Sequence, residues 1–542
     1  MYRAHASSAP VHTDLNRQQQ AGEPVSGRSS PYLDALAAAV LLSATVVYLS
    51  QFPHDLSPID ESIHLYDAKR LLGGGVMYRD VFNFITPGWM YLMALLFWIF
   101  GTDIAVARMT VAMIHAYTMV LIYGVCRDLG VRPGLSWPPA LAYLVLCQPA
   151  WAVASQHWLS TMLSVAALGV CVRHLHDRRR WSLLLGVVLG LFVSVQQQRA
   201  AITVAGVVLW LLLDLLLDRR YGDHRPVRAL IATLAWMAAG IAIVVVPFLG
   251  WLIARAGFYR VWRALVLFPL SDYAHGVTPA AWGDINIITA SHASYTFPLL
   301  LKYLPLVLVP AALRLTWAVA RGRAPEEARR LLLLIVFALT SIASIQYFPD
   351  FIHIAFIAPV FLIMLAESAE WVVRYMQAPR PVLLASYVLA AATLLLASGA
   401  QLRDNLERKR SAYDISRPTA FGRVDFHSRR QARLFDRMKE RMRGTWSRYL
   451  FCYPLIADLY LMLDAENPSA VGFLWPGTTG PDLTQEAIDA LAEKRPPYIL
   501  FIPEWGGDDD PVATWIKEHY EPNGDDMWRS GWVVYRIKRQ PG

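Results

Sequence analysis

The sequence predicts a mainly α-helical polytopic membrane protein of about eleven transmembrane helices, with exterior interface helices and a small C-terminal α/β domain. Three observations predict it. Of 542 residues, 55% are hydrophobic and only 17% charged, against about a quarter charged in ordinary globular chains. Mean hydropathy is +0.34 and 19 Trp accompany 24 Tyr, which makes lipid the main solvent. The composition then turns charged and mixed after residue 400. A soluble cytosolic enzyme and a disordered chain are excluded. So is a disulfide scaffold, because there are only four Cys, with Cys126, Cys147 and Cys171 inside apolar runs and Cys452 without an evident partner. The net charge of +8 is better read as the cytoplasmic-loop bias of a membrane chain than as a nucleic-acid footprint.

Taken in order, residues 1–30 are polar, lack the apolar core of a signal peptide, and read as a disordered cytoplasmic tail. Apolar runs long enough to cross, or nearly so, follow near 32–50, 103–125, 135–150, 157–173, 181–195, 200–217, 229–253, 297–318, 331–346, 353–370 and 381–399. Basic residues fall on alternate connections: Arg127 and Arg132, then Arg173 and Arg178 to Arg180, then Arg219, Arg220, Arg225 and Arg228, then Arg314, Arg321, Arg323, Arg329 and Arg330. The positive-inside rule puts these in the cytoplasm. Segments 51–102, 254–296 and everything after 400 then lie outside. Within 31–400, the predicted catalytic membrane domain, 51–102 is the first exterior loop. It carries two short apolar helices for the interface, 61–72 with Ile63, Leu65, Tyr66, Ala68 and Leu71 on one face, and 89–100 with Trp89, Tyr91 and Trp98 at headgroup level.

Residues 401–447 form a basic linker in which 426–443 has the pattern of an amphipathic surface helix. From 448 to 542, β-type runs at 449–453, 498–502 and 532–537 alternate with helical stretches at 455–464, 484–494 and 511–520, an exterior α/β domain. Such a domain hosts many roles, so its own function stays open.

The chemistry-bearing residues cluster on the exterior side. Asp60 and Glu61 open the first interface helix, where the plain reading is an N-cap with a favourable dipole. Asp80 follows in Tyr78-Arg79-Asp80 and has Arg79 as a ready ion-pair partner. Thr86-Pro87-Gly88 and the second interface helix come next. Acid pair, interface helix, second acid, Pro-Gly and second interface helix together are less generic than any one part.

That run, Asp60-Glu61-Ser62-Ile63-His64-Leu65-Tyr66, Tyr78-Arg79-Asp80, Pro87-Gly88, Gly101 and Arg108, resembles the first exterior loop of the GT-C superfamily of polyprenyl-phosphate-dependent glycosyltransferases. The nearest branch is that of the dolichyl-phosphate-mannose protein mannosyltransferases and the lipid A aminoarabinose transferase. The resemblance implies a membrane glycosyltransferase in which Asp60 is the catalytic acid of the pair, with Glu61 and Asp80 beside it. It implies a polyprenyl-phosphate-linked sugar donor and an acceptor glycan, lipid or protein; the Arg- and Ala-rich composition points to a bacterial inner membrane, and the charge alternation to a multi-pass chain with the site on the periplasmic side. One departure stands out: where those relatives carry a Lys soon after the proline, near the donor phosphate, this chain has Gly88 and Trp89.

Transfer from a lipid phosphate needs a base for the acceptor proton and cations for the leaving phosphate. Asp60 sits where a membrane donor's headgroup arrives. For the phosphate, Arg199 leads, closing the polar cluster Gln196-Gln197-Gln198; Lys302 and Arg79 are the other cations, and each is also read as an ordinary interfacial side chain. Asp350 and His353, in Pro349-Asp350-Phe351-Ile352-His353, are candidates for sugar or acceptor binding, or simply a capped helix start. His157 reaches the same region or is a structural histidine. No metal motif has convincing spacing, and no cofactor is expected. The competing classes are a transporter or flippase of a polyprenyl-linked glycan and a non-enzymatic envelope-assembly scaffold; exterior rather than mid-membrane acids and the absence of repeat symmetry favour the enzyme.

Overall fold

The computed structural model describes residues 31–538 except 58–59, 175–177, 222–226, 274–279, 285–297, 323–324, 378, 412–413, 455–456, 473, 475–478, 503–509 and 528–532. The expected 1–30 tail and much of the 254–296 segment therefore lie outside the described residues.

Helices α1 (Pro31–Leu49), α2 (Asp60–Leu72), α3 (Gly88–Phe100), α4 (Ile104–Asp128), α5 (Pro133–Ala142), α6 (Gln156–His174), α7 (Arg178–Val195), α8 (Gln197–Arg220) and α9 (Val227–Ala256) make the first part of the bundle. Helices α10 (Leu308–Arg321), α11 (Pro325–Ala343), α12 (Phe351–Tyr375) and α13 (Arg380–Ser411) complete it. Among the described residues, seven helices are long and apolar enough to cross a membrane: α1, α4, α8, α9, Leu300–Arg321, α12 and α13. Over the expected 135–150 crossing the chain stays helical without a gap but changes helix type, α5 passing into a π-turn (Tyr143–Cys147) and a 3-10 turn (Gln148–Trp151). Pro149, which has no N–H for the ladder, sits at the start of the 3-10 turn. The most apolar stretch of α12 is 78% buried while that of α13 is bare; α12 is the axis of the bundle and α13 an outer helix.

Glycines set two close approaches. A Cβ on Gly186 would lie 2.1 Å from the Met237 carbonyl oxygen, so α7 and α9 meet backbone to backbone. A Cβ on Gly88 would lie 2.4 Å from the Ser194 carbonyl oxygen. The start of α3 is thereby pressed onto the end of α7, and Trp89, expected at headgroup level, is fully buried, whereas Trp98 is exposed.

The arginine-rich connections gather at one end of the bundle. Arg132 and Arg374 share Glu370, at 2.9 and 2.8 Å, Arg314 bridges Glu327 and Glu367, and Arg329 pairs with Asp218. The 25 residues of α4 separate that end from the opposite one, where the 51–102 segment and the C-terminal part meet. Lys69 pairs with Asp464 at 2.6 Å, the Tyr66 hydroxyl accepts from Asn467 N at 2.7 Å, and Phe82 N donates to the Ala470 carbonyl at 2.9 Å. The apolar face expected of the 61–72 helix is real, but protein covers it: Ile63, Leu65, Tyr66, Ala68 and Leu71 are all buried, with Tyr66 stacked on Tyr460.

The 401–447 stretch, expected as a basic linker, is folded. α13 runs on to Ser411, a hairpin follows (β1, Arg417–Thr419; β2, Gly422–Val424), and α14 (Arg429–Arg443) buries Ala432, Leu434, Phe435 and Met438. Beyond it a four-stranded sheet has the order β3-β4-β6-β5 (Leu450–Tyr453, Tyr498–Phe501, Val533–Ile537, Tyr520–Met527). Strands β3 and β4 are parallel and the other pairs antiparallel, with α15 (Pro481–Lys494) and α16 (Pro511–His519) between strands. Strand β5 was not expected from its Pro522, Asn523, Gly524 and two Asp; an edge position tolerates them because one side needs no ladder bonds.

Candidate active site

Asp60 is the first residue of α2, and helical spacing puts His64 and Asp67 on its face while Glu61 turns about 100° away. The two adjacent acids consequently face different surroundings. Glu61 is fully buried, accepts from Ser57 N at 2.9 Å and Ala154 N at 2.7 Å, and is bridged by the Arg108 guanidinium. With four donors on two oxygens, it ties the start of α2 to α4 and to the turn before α6. No acceptor capacity remains for chemistry.

Asp60 keeps some exposure, yet the protein around it pushes its carboxyl above the usual range; the nearby His353 opposes that rise and Asp350 adds to it. The same carboxylate acts on the Tyr273 and Tyr347 hydroxyls, both raised chiefly by burial, Tyr273 to about 12. A half-buried carboxylate is thus ringed by one imidazole, one further carboxylate and two phenols.

Asp350 caps α12, its Oδ1 accepting from His353 N at 2.9 Å, and the same oxygen lies 2.7 Å from His353 Nδ1. The capped helix start is therefore present, and the same carboxylate also holds the imidazole. An Nδ1–H held by the carboxylate leaves Nε2 with a lone pair for an incoming hydroxyl. The ring is fenced edge-on by Tyr347, Phe348, His157 and Phe356 at 5.3 to 5.8 Å. His157 stacks on Phe356 at 4.5 Å, and its Nδ1 lies 3.2 Å from Gln196 Nε2.

Arg199 is 3% exposed. Its Nη1 donates to Ser160 Oγ at 2.6 Å and Nη2 to the Phe356 carbonyl at 3.4 Å, while Nε has no partner. Among the described residues no carboxylate is in ion-pair reach of it. Tyr347 stands between it and Asp60, feeling the charge of both. The Thr86-Pro87-Gly88 motif serves the same corner. Thr86 N donates to Gln197 Oε1 at 2.9 Å, Thr86 Oγ1 to the Val193 carbonyl at 2.7 Å, and Gln197 Nε2 to the Phe84 carbonyl at 2.8 Å.

The remaining candidates separate. Arg79 and Asp80 pair with each other at 2.8 Å, and Asp80 also accepts from Val76 N, so the arginine holds that carboxyl below its usual range. Both belong to a surface turn. Lys302 lies beside Gly283, whose N–H donates to the Pro349 carbonyl, so this lysine backs the turn carrying Asp350. The structure brings Asp60, Asp350, His353, His157 and Arg199 together, with Lys302 at their edge, and sets Glu61, Asp80 and Arg79 apart. Sequence reasoning missed Tyr273, Tyr347 and Ser160, for which no local pattern exists, and Asp67, whose spacing from Asp60 was available. Buried and bonded to Asn83 at 2.9 Å, the Asp67 carboxyl is pushed up to about 7 by burial. Among the described residues no group of three or more His, Cys, Asp or Glu is arranged to hold a metal.

The bundle of long apolar helices with a polar cluster at one end, roofed by a small sheet domain, shares its fold with a solved ArnT. ArnT from Cupriavidus metallidurans bound to undecaprenyl phosphate superposes with a TM-score of 0.57 at 14% identity, over 93% of this chain and 97% of that one. The apo state of the same protein gives 0.55 at 15%, with equal coverage. The mycobacterial arabinofuranosyltransferase AftD gives 0.49 at 16%, over 95% of this chain and 40% of its own. No family model and no curated protein matches by sequence.

Proposed function

We propose that the protein transfers a sugar from a polyprenyl-phosphate donor to an acceptor hydroxyl on the non-cytoplasmic face of a bacterial inner membrane, with Asp60 as base. One observation carries the reading: Arg199 is a buried guanidinium with no carboxylate in ion-pair reach among the described residues, placed beside the Asp60–Asp350–His353 cluster. A buried charge without a counter-charge costs several kcal/mol, and an incoming phosphate is the group that would supply one. ArnT, whose fold this chain shares, has been solved with undecaprenyl phosphate bound.

In this scheme Asp60 takes the proton of the acceptor hydroxyl as its oxygen attacks the anomeric carbon. The bond from that carbon to the phosphate oxygen breaks, and the electron pair leaves on the polyprenyl phosphate. Arg199 neutralises the phosphate, aided by Lys302 at the edge of the cluster. His353, oriented by Asp350, accepts a sugar or acceptor hydroxyl at Nε2, and His157 closes the far wall. The raised proton affinity of Asp60 suits a base better than an ordinary aspartate's would.

The test is mass spectrometry of envelope glycolipids, glycans and glycoproteins from cells with and without the gene. One sugar-bearing species should disappear and return with the wild-type gene but not with Asp60→Asn. An identical profile in all strains overturns the proposal.

A further inference from the structure

Most of the chain's net charge lies in one short stretch. Residues 403–443 hold thirteen Lys and Arg against six Asp and Glu, a net +7 within a chain of net +8. The arginine-rich connections that set sidedness lie at the opposite end of the bundle, so topology does not account for this excess. Five of the six acids are already engaged. Asp404 and Glu407 pair with Arg403 at 3.3 and 3.8 Å, Asp414 with Arg429, and Asp436 with Arg417 at 3.0 Å. Asp425 accepts from His54 N at 2.9 Å and from Ser416 Oγ. Among the described residues, Arg410, Arg430 and Arg433 have no carboxylate in ion-pair reach; all three are exposed, as is Arg437. Arg430, Arg433 and Arg437 recur at i, i+3 and i+7, on one side of α14, while Leu434, Phe435 and Met438 are buried.

Three contacts tie this stretch to the ends of membrane-crossing helices. Arg410 is in the last turn of α13, and the adjacent Lys409 donates from Nζ to the carbonyl of Ser50, the residue after α1, at 3.4 Å. Just before α14, Asp425 N donates at 3.1 Å to the carbonyl of His54, five residues past α1. In the hairpin, the Phe421 carbonyl accepts from the N–H of Ile104, the first residue of α4, at 3.2 Å, and the Phe421 ring meets Phe97 edge-on at 5.7 Å. Trp98 and Phe100, beside that contact, are 73% and 68% exposed, as aromatic side chains at headgroup level are. The ends of α1, α4 and α13 mark one edge of the hydrocarbon, and lipid headgroups fill roughly the next 5–8 Å. Lipid phosphates lie in that layer, and one Lys or Arg near an anionic leaflet is worth about fivefold in affinity. We propose that residues 403–443 form a basic collar that gathers anionic phospholipids at the sheet-domain end of the bundle, with Arg410, Arg430 and Arg433 as the phosphate-binding cations. A soluble acidic partner would need no such ties to three helix ends. The collar is independent of which sugar is transferred.

A bimane fluorophore on Ser411→Cys, next to Arg410, reports the nearest lipids; Cys126, Cys147, Cys171 and Cys452 are buried and stay unlabelled. The labelled full chain is reconstituted in phosphatidylcholine bilayers. These hold a small, equal fraction of phosphatidylglycerol or phosphatidylcholine spin-labelled near the top of one acyl chain. The phosphatidylglycerol label should quench at least about fivefold more strongly, and about 0.5 M salt should bring the two together by screening. Arg410→Gln/Arg430→Gln/Arg433→Gln should abolish the preference, and the three Arg→Lys replacements should keep it. Transfer from a polyprenyl-phosphate sugar in detergent should be unchanged in both, so the collar and the proposed activity fail or stand separately. Should the Gln variant fail to fold, the salt titration of the labelled chain, which needs no arginine replaced, decides. Equal quenching by the two lipids, a preference that survives salt or the Gln variant, or quenching by neither lipid overturns the collar; the last outcome leaves a soluble acidic partner.

Discussion

Replacing Arg199 by methionine separates a structural arginine from one kept for a ligand. Methionine has comparable length and no charge, so the change removes the guanidinium and little volume. Neither group that Arg199 touches is stranded by its loss. Ser160 Oγ still donates to the His157 carbonyl at 2.9 Å, and the Phe356 carbonyl still accepts from Thr161 Oγ1 at 2.9 Å. What disappears is a desolvated cation with an unpartnered Nε. Exchanging buried ionic groups for apolar ones of similar volume is neutral to stabilising by about 1–4 kcal/mol. The apo variant should therefore melt at or above the wild-type temperature by intrinsic tryptophan fluorescence in detergent. Undecaprenyl phosphate at about 100 times its Kd should stabilise wild type by about 2.7 kcal/mol and the variant hardly at all. Turnover of a synthetic polyprenyl-phosphate sugar should fall about 10²–10³-fold, the usual worth of one positioned charge-stabilising donor. Arg199→Lys keeps the charge without the fork and should recover part of it. A variant that melts lower than wild type by more than about 2 kcal/mol and still turns over normally would refute the phosphate role.

Asp60→Asn should cost about 10²–10⁴-fold in kcat with donor binding retained; wild-type turnover in this variant removes Asp60 as the base. Glu61→Gln should do the reverse, lowering stability by about 3–5 kcal/mol because Arg108 is left buried without its carboxylate; a stable, inactive Glu61→Gln would return that acid to the chemistry. The Asp67 carboxyl has a folded value of about 7 against about 3.9 when unfolded. Folding favours its protonated form, so the stability it contributes is full below about pH 4 and is lost as pH rises to about 7. Melting temperature should fall between pH 5 and 8 more steeply in wild type than in Asp67→Asn, and parallel profiles would contradict that account. Reporter fusions should read inside after Arg180 and outside after Gly542; a cytoplasmic Gly542 would invert the sheet domain and the Asp60 end with it.

The helical bundle was legible because long apolar runs and clustered arginines are properties of continuous sequence. The change of helix type within 135–150 had only Pro149 as a local mark, since composition alone reads as one uniform span. Strand β5 was hidden for the opposite reason: its residues disfavour strands, and only its pairing to β6, with Glu521 against Arg536, makes it one. At the site, Asp60, Arg199, Asp350, His353 and His157 were found because each sits at a polar interruption of an apolar run. Tyr273 and Tyr347 are chemically ordinary until distant segments bring them near Asp60, as is Ser160 until it meets Arg199, so no local signal marked them.

The acid pair shows why adjacency in sequence is a poor guide to shared work. A rotation of 100° per residue sends Glu61 toward α4, where four donors fix it, and leaves Asp60 near Tyr347, Asp350 and His353, with no Lys or Arg in ion-pair reach among the described residues. The two arrangements depend on each other. Asp60 can be held half-buried because its neighbour anchors the first turn of α2 so firmly, and Glu61 can serve as that anchor because Arg108 supplies the counter-charge.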